Sequence, residues 1–250
     1  MASIWRGLRA VFRMGRVVFF LLRLSLQMRL GFVHLTHEAQ QRRIRAWSAE
    51  LLRCLGVSLT VVGQVRPGAK LVVGNHISWM DIMAINATEP SRFVSKAEVG
   101  AWPIVGPIVT LAGTIYLERA RRRDAMRVMG LLTQTLRDGH VAAVFPEGTT
   151  ADGQALLPFH GNLLQSAIDA DVPVQPLALR YSDPTHAVSP AVAFVGDTTL
   201  LQSLWSVLCA DGLKVTVTVL PALRVTHTDR RALADRLREE IGQALQMAEA

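Results

Sequence analysis

From Val57 onward the chain alternates short apolar runs with amphipathic stretches. The runs VSLTVV, KLVVGN, RFVSK, GTIYL, VAAVF, VPVQPLALRY, VAFV and LKVTVTVL read as strands, several too continuously apolar to keep one face in water. Helical periodicity predicts helices over 78–87, 119–138 (ending at Gly139), 160–170 and 228–248, the last with Leu233, Leu237, Ile241 and Leu245 in register. This alternation predicts an α/β domain over residues 56–250, with a central, mostly parallel (mixed) sheet and helices on both faces. The charge-free stretch VGAWPIVGPIVTLAGTIYL, residues 99–117, is apolar enough for a bilayer, but its prolines and glycines would break a helix surrounded by lipid. It is expected to be a folded-in, hairpin-like connection that lines an apolar cavity or touches a membrane.

Residues 1–55 follow a different pattern. Arg6, Arg9, Arg13, Arg16 and Arg23 share one side of a helix at roughly 100° per residue, with Val17, Val18, Phe19, Phe20, Leu21 and Leu22 as apolar bulk. Residues 38–55 predict a second helix with Ile44, Trp47, Leu51, Leu52 and Leu55 on one face. Arginines interrupt every apolar run before it reaches the ~20 residues of a membrane span, and Arg23 breaks the apolar core that a secretory signal needs. Three readings remain: a basic amphipathic segment lying in lipid headgroups, a nucleic-acid arm, or a solvated helix packed on its own domain.

Charge favours the first. Residues 1–53 hold ten arginines against Glu38 and Glu50, a balance of +8; the other 17 basic and 18 acidic residues sum to −1, which accounts for the overall +7. A nucleic-acid binder would spread basic and aromatic residues over its folded body, so no nucleic-acid partner is expected. An anionic lipid surface is the expected partner, with arginine stems snorkelling toward headgroups. Cys54 and Cys209 lie far apart in apolar surroundings, so they read as buried thiols of a reducing compartment, with no disulfide and no metal site expected.

Two short stretches carry candidate chemistry. In VVGNHISWMD, residues 72–81, a strand ends in a loop that opens a helix, placing His76 at the carboxyl edge of the sheet, where open α/β folds bind ligands. Asp81, five residues on, fits a charge partner for the imidazole, yet Ser78 and Asp81 also make an ordinary capping box. In VAAVFPEGTT, residues 141–150, Glu147 leaves a buried strand beside a glycine turn. An acid and free amides there suit the binding of hydroxyls or of a developing oxyanion. No G-x-S-x-G nucleophile elbow is present.

Taken in order, NHISWMD, GTIYLER, FPEGTT and VPVQPLAL resemble the four sequence blocks of the glycerolipid (lysophospholipid) acyltransferase family, whose members include 1-acylglycerol-3-phosphate acyltransferases. The resemblance implies transfer of an acyl chain from acyl-CoA or acyl carrier protein to a lysolipid hydroxyl, with no cofactor besides that co-substrate. It implies His76 as general base and Asp81 as the group that orients it. It assigns Arg119 to the acceptor's phosphate, and Gly113, Glu147, Gly148 and Thr149 to the acceptor pocket. It implies peripheral or monotopic attachment to the cytoplasmic face of the inner membrane. Where phosphate-directed members carry an arginine after FPEGT, this chain has Thr150. The acceptor is then either 1-acyl-sn-glycerol-3-phosphate held through Arg119 alone or another lysolipid, such as a lyso-ornithine lipid; the alternative to an enzyme is a non-catalytic membrane-surface binding protein that keeps the fold.

Overall fold

The computed structural model describes residues 2–118, 122–226 and 228–247. Seven strands form one sheet in the order β1-β7-β6-β2-β5-β3-β4. They are β1 (Ser58–Val62), β2 (Lys70–Gly74), β3 (Arg92–Lys96), β4 (Ile115–Leu117), β5 (Val141–Val144), β6 (Val174–Ser182) and β7 (Lys214–Val219). All neighbouring pairs are parallel except β6 with β7. Every residue of β2 is buried, as its continuous apolar run requires of a central strand covered on both faces.

Helices α1 (Ala2–Gly31), α2 (His37–Leu55), α3 (Asp81–Thr88) and α7 (Leu200–Cys209) cover one face. Helices α5 (Arg122–Arg137), α6 (Gln165–Ala170) and α8 (Arg230–Met247) cover the other. Alternation along β2 divides its side chains between them: Val72 joins the first core, Leu71 and Val73 the second.

Two local expectations are corrected. The segment 99–117 is no hairpin: because β3 and β4 are parallel, it makes a crossover through a 3-10 turn (Ala97–Ala101) and helix α4 (Val105–Leu111). Pro107 is tolerated because it lies in the first turn of α4, where a backbone N–H has no intrahelical partner to lose. The run VAFV is no strand either. Its first residue closes a 3-10 turn (Pro190–Val192), and its Phe194 spends its backbone on two loops, donating to Ile77 O at 3.3 Å and accepting from Thr150 Oγ1. Helix α7 was not foreseen, although its start is legible: Thr199 and Gln202 form a reciprocal capping box ahead of an apolar run.

Helix α1 is apolar on two sides. Ala10, Val17, Phe20, Leu24 and Met28 are buried in the core shared with α2, α7 and β7. Across the helix, Leu8, Phe12, Phe19, Leu22, Leu26 and Leu30 are exposed. The arginine side is largely spent on the fold. Arg13 donates to the carbonyls of Leu208 (2.9 Å) and Ala210 (2.7 Å), Arg9 binds Asp211 at 2.6 Å, and Arg23 binds Glu50 at 2.5 Å. The Arg13 contacts supply donors to carbonyls at the C-terminal end of α7, which no helical N–H reaches, while Arg23 ties α1 to α2. By length and apolar content α1 could cross a bilayer, but a helix pinned to the body along one side cannot be ringed by lipid.

Phe20 tests this joint core. Truncation of a side chain only 1% exposed leaves a cavity, so Phe20→Ala is expected to cost about 3–5 kcal/mol. Thermal unfolding should show one transition, moved down as a whole. A transition left where the parent has it would mean that α1 contributes nothing to the fold's stability.

Candidate active site

Residues 75–80 leave β2 and turn into α3 around one carboxylate. Asp81, the first residue of α3, has no solvent exposure. Its Oδ2 accepts the backbone N–H groups of Ile77 (2.7 Å) and Ser78 (2.9 Å), and lies 2.8 Å from His76 Nδ1. Its Oδ1 accepts the Tyr181 hydroxyl at 2.9 Å. A carboxylate accepts hydrogen bonds, so the His76 imidazole donates to it from Nδ1 and turns Nε2 outward. Among the described residues Nε2 has no hydrogen bond, and the side chain is 20% exposed. The expected capping box is half formed: Asp81 accepts from Ser78 N–H, while Ser78 Oγ accepts from Met80 N–H at 3.4 Å.

The ring plane is fixed from the next strand. Phe145, just past β5, stacks on His76 with ring centroids 4.0 Å apart and 7° between planes. Glu147 follows two residues later and is buried. Val73 pairs with Val144, so both chains run three residues past this register to reach His76 and Glu147. Glu147 Oε1 accepts the His76 backbone N–H at 2.7 Å, and Oε2 accepts that of Leu157 at 2.9 Å. Burial pushes the Glu147 carboxyl above its ordinary value, with the two amides pulling the other way. Asn75 binds β2 to β6 from the other side, exchanging two hydrogen bonds with the Leu179 backbone at 2.8 and 3.0 Å.

The sequence-derived residues are not all gathered here. His76, Asp81 and Glu147 meet, although both Glu147 oxygens are occupied by backbone amides. Gly148, at φ +70°, and Thr149 form an exposed turn beside them; the Gly148 N–H closes that turn on Phe145 O at 3.1 Å. Gly113 lies at the opposite edge, entering β4 at φ +85° against the Arg92 side chain; only glycine adopts that backbone without strain. His140 is at that edge too, with Arg92 Nη2 at 3.0 Å. Arg119 and His227 lie outside the described residues. Two surface cavities, one bounded by Met129 and Arg137 and the other by Arg16 and Arg53, do not border His76.

Tyr181, Phe145 and Asn75 were missed. A signal existed for Tyr181. Residues 177, 179 and 181 alternate onto one face of a buried strand, and a tyrosine buried there needs a partner for its hydroxyl. Burial together with the neighbouring Asp81 raises the Tyr181 pKa well above its ordinary value, so it stays a donor. Among the described residues no cluster of three or more His, Cys, Asp or Glu side chains that could hold a metal ion is found.

Comparison with known proteins agrees with this frame. Residues 58–180 match the Acyltransferase family model. A 1-acyl-sn-glycerol-3-phosphate acyltransferase of Neisseria meningitidis is 36% identical over 209 residues, covering 82% of this chain and 81% of that protein. A lyso-ornithine lipid O-acyltransferase of Pseudomonas aeruginosa is 37% identical over 207 residues, covering 82% and 79%. The crystal structure of the 1-acyl-sn-glycerophosphate acyltransferase PlsC from Thermotoga maritima superposes with a TM-score of 0.75 over 100% of this chain and 98% of that one; at 19% identity it speaks for the fold. With a mixed α/β sheet, a long apolar N-terminal helix and these relatives, the chain belongs to the acyltransferase family of lipid biosynthesis.

Proposed function

We propose that the chain moves a fatty acyl group from a thioester to the free hydroxyl of a lysolipid at a membrane surface, with 1-acyl-sn-glycerol-3-phosphate as acceptor and phosphatidic acid as product. The observation that carries this reading is His76 held by Asp81 with Nε2 open, at the carboxyl edge of the sheet, in a chain whose relatives acylate lysolipids. Nε2 takes the proton of the hydroxyl as its oxygen attacks the thioester carbonyl. The new C–O bond forms, the C–S bond breaks, and the imidazolium returns the proton to the departing thiolate. Asp81 balances the imidazolium charge between these two transfers. No acyl-enzyme is formed. A thioester is already activated, so this route calls on no cofactor beyond the donor, acyl-CoA or acyl carrier protein.

The remaining assignments follow from the motif match, with Glu147 placed by its hydrogen bonds. Glu147 holds the His76 backbone, Gly148 and Thr149 face the acceptor's glycerol, and Arg119 binds its phosphate. Gly113 shapes the approach to β4. Residues 1–55 form the membrane-association segment and 56–250 the catalytic domain, with the exposed apolar side of α1 resting in the cytoplasmic leaflet of the inner membrane, where acyl thioesters are available.

A lyso-ornithine lipid is the second reading, and Thr150 favours it. Its hydroxyl is turned to Phe194 O, so this position offers no planar cation to a phosphate.

His76→Ala should lower the turnover rate about 10²- to 10⁴-fold without unfolding the protein. Product masses from a panel of lysolipids, supplied with labelled acyl thioester, decide the acceptor; thioester cleavage that ignores added lysolipid would point to hydrolysis instead.

Tyr181→Phe leaves Asp81 Oδ1 buried without a donor. Kinetics should show kcat down about 10-fold with KM nearly unchanged, since the loss of about 1–3 kcal/mol falls on the base and not on the acceptor contacts. An equal rise in KM would argue against a positioning role.

Glu147→Gln aims an N–H at one of the two backbone N–H donors, so activity should fall. A carboxyl whose folded pKa is raised takes up a proton on folding between its unfolded value and the raised one, so its stabilising contribution is full below that window and is lost as pH rises through it. Urea unfolding at a series of pH values from about 4.5 upward should therefore show a smaller loss of stability with pH in Glu147→Gln than in the parent.

A further inference from the structure

We infer that the groove between α1 and α2 is a binding site for the phosphate of an anionic glycerophospholipid, separate from the acceptor site. The inference rests on the reading of the outer face of α1 as lipid-facing. The cavity measures about 210 Å³ and is lined by Arg16, Phe19, Phe20, Glu50, Arg53 and Cys54. None of these residues is hydrogen-bonded or ion-paired to His76 or Asp81.

The charges in it do not balance. Glu50 is taken by Arg23 at 2.5 Å, whereas Arg16 and Arg53 reach no carboxylate within 4.0 Å among the described residues. Arg53 makes only a 3.4 Å bond to the Ala49 carbonyl one turn back. The neighbouring arginines Arg9, Arg13 and Arg23 are bound by the fold, whereas Arg16 and Arg53, which share this groove, have no carboxylate partner among the described residues. Two guanidinium groups around one cavity repel each other, and an anion between them turns repulsion into attraction. Planar forks match phosphate oxygens, and a dianionic phosphomonoester gains more than a diester.

The walls and position name the source of that phosphate. Phe19 lines the groove and also belongs to the exposed stripe with Phe12, Leu22 and Leu26. A phosphate seated between Arg16 and Arg53 therefore has its acyl chains beside this stripe, at the level where a helix lying on a bilayer meets headgroups. A free phosphate would gain nothing from the aromatic wall.

The test uses the full chain with two readouts. In flotation, the parent should prefer vesicles containing phosphatidic acid over pure phosphatidylcholine. Arg16→Gln/Arg53→Gln should lose that preference by more than the charge-matched control Arg6→Gln/Arg29→Gln, which removes two exposed arginines of α1 outside the groove; the expected loss is about fivefold per groove arginine. Equal loss in both variants would mean diffuse attraction and overturn the site. The second readout needs no vesicle: alkylation of Cys54, followed by mass spectrometry, should slow in the presence of water-soluble short-chain phosphatidic acid and not of short-chain phosphatidylcholine, with Cys209 as internal reference. Protection that persists in the groove variant, or that inorganic phosphate supplies equally, would overturn the lipid assignment. Failure of the parent to float with any vesicle would sink the membrane reading while the soluble-lipid result still decides the groove.

Discussion

An ionised carboxylate withdrawn from water costs several kcal/mol unless donors replace the solvent it has lost. Asp81 is such a group, and everything around His76 is arranged by the way that cost is met. Two backbone amides, an imidazole and a phenol converge on it at 2.7 to 2.9 Å. The amides fix the path of the loop after β2, the phenol fixes β6 relative to α3, and the imidazole is left with one orientation. Asp81 also opens α3, where the helix dipole favours negative charge. Closing the loop after β2 and holding the His76 imidazole are thus two uses of one side chain, and the first makes the second rigid.

The N-terminal helix obeys a different constraint. A helix apolar on opposite sides can satisfy only one of them within a single domain; the second needs lipid or another surface. The arginine pattern that suggested headgroup contact over the whole helix side is divided in the structure. Arg9 and Arg13 secure the end of α7, Arg23 secures α2, and exposed positions such as Arg16 remain for other partners. Attachment of α1 to the body and presentation of its outer stripe are therefore linked: loosening one tilts the other.

The strand and helix order was legible because buried parallel strands are continuous apolar runs and their covering helices carry a 3.6-residue period. Failures came where tertiary partners overrode local pattern. VAFV has strand composition, but the loops after β2 and β5 take the backbone groups of Phe194, and Gly196 at φ +60° turns the chain away. Residues 99–117 looked like a hairpin because glycine and proline dominate locally; the parallel pairing of β3 with β4 is a long-range fact that composition does not carry. At the site, the spacing of His76 and Asp81 fitted a capping box equally well and the four-block resemblance singled the pair out, while Glu147 was marked by its place after a buried strand. Tyr181 lies 100 residues from its partner, and that pairing depends on the register of β6 beside β2.

The sheet's topology explains why a reactive group stands where it does. After β2 the chain passes to α3 on one face, whereas after β5 it continues to Leu164 and α6 on the other. Adjacent parallel strands whose connections part to opposite faces leave a crevice at their carboxyl ends, the usual place for ligands in open α/β sheets. His76 and Glu147 stand on the two lips of that crevice, joined by one hydrogen bond from backbone to carboxylate. With Nδ1 held by Asp81 and one ring face covered by Phe145, the imidazole leaves Nε2 without a hydrogen bond among the described residues.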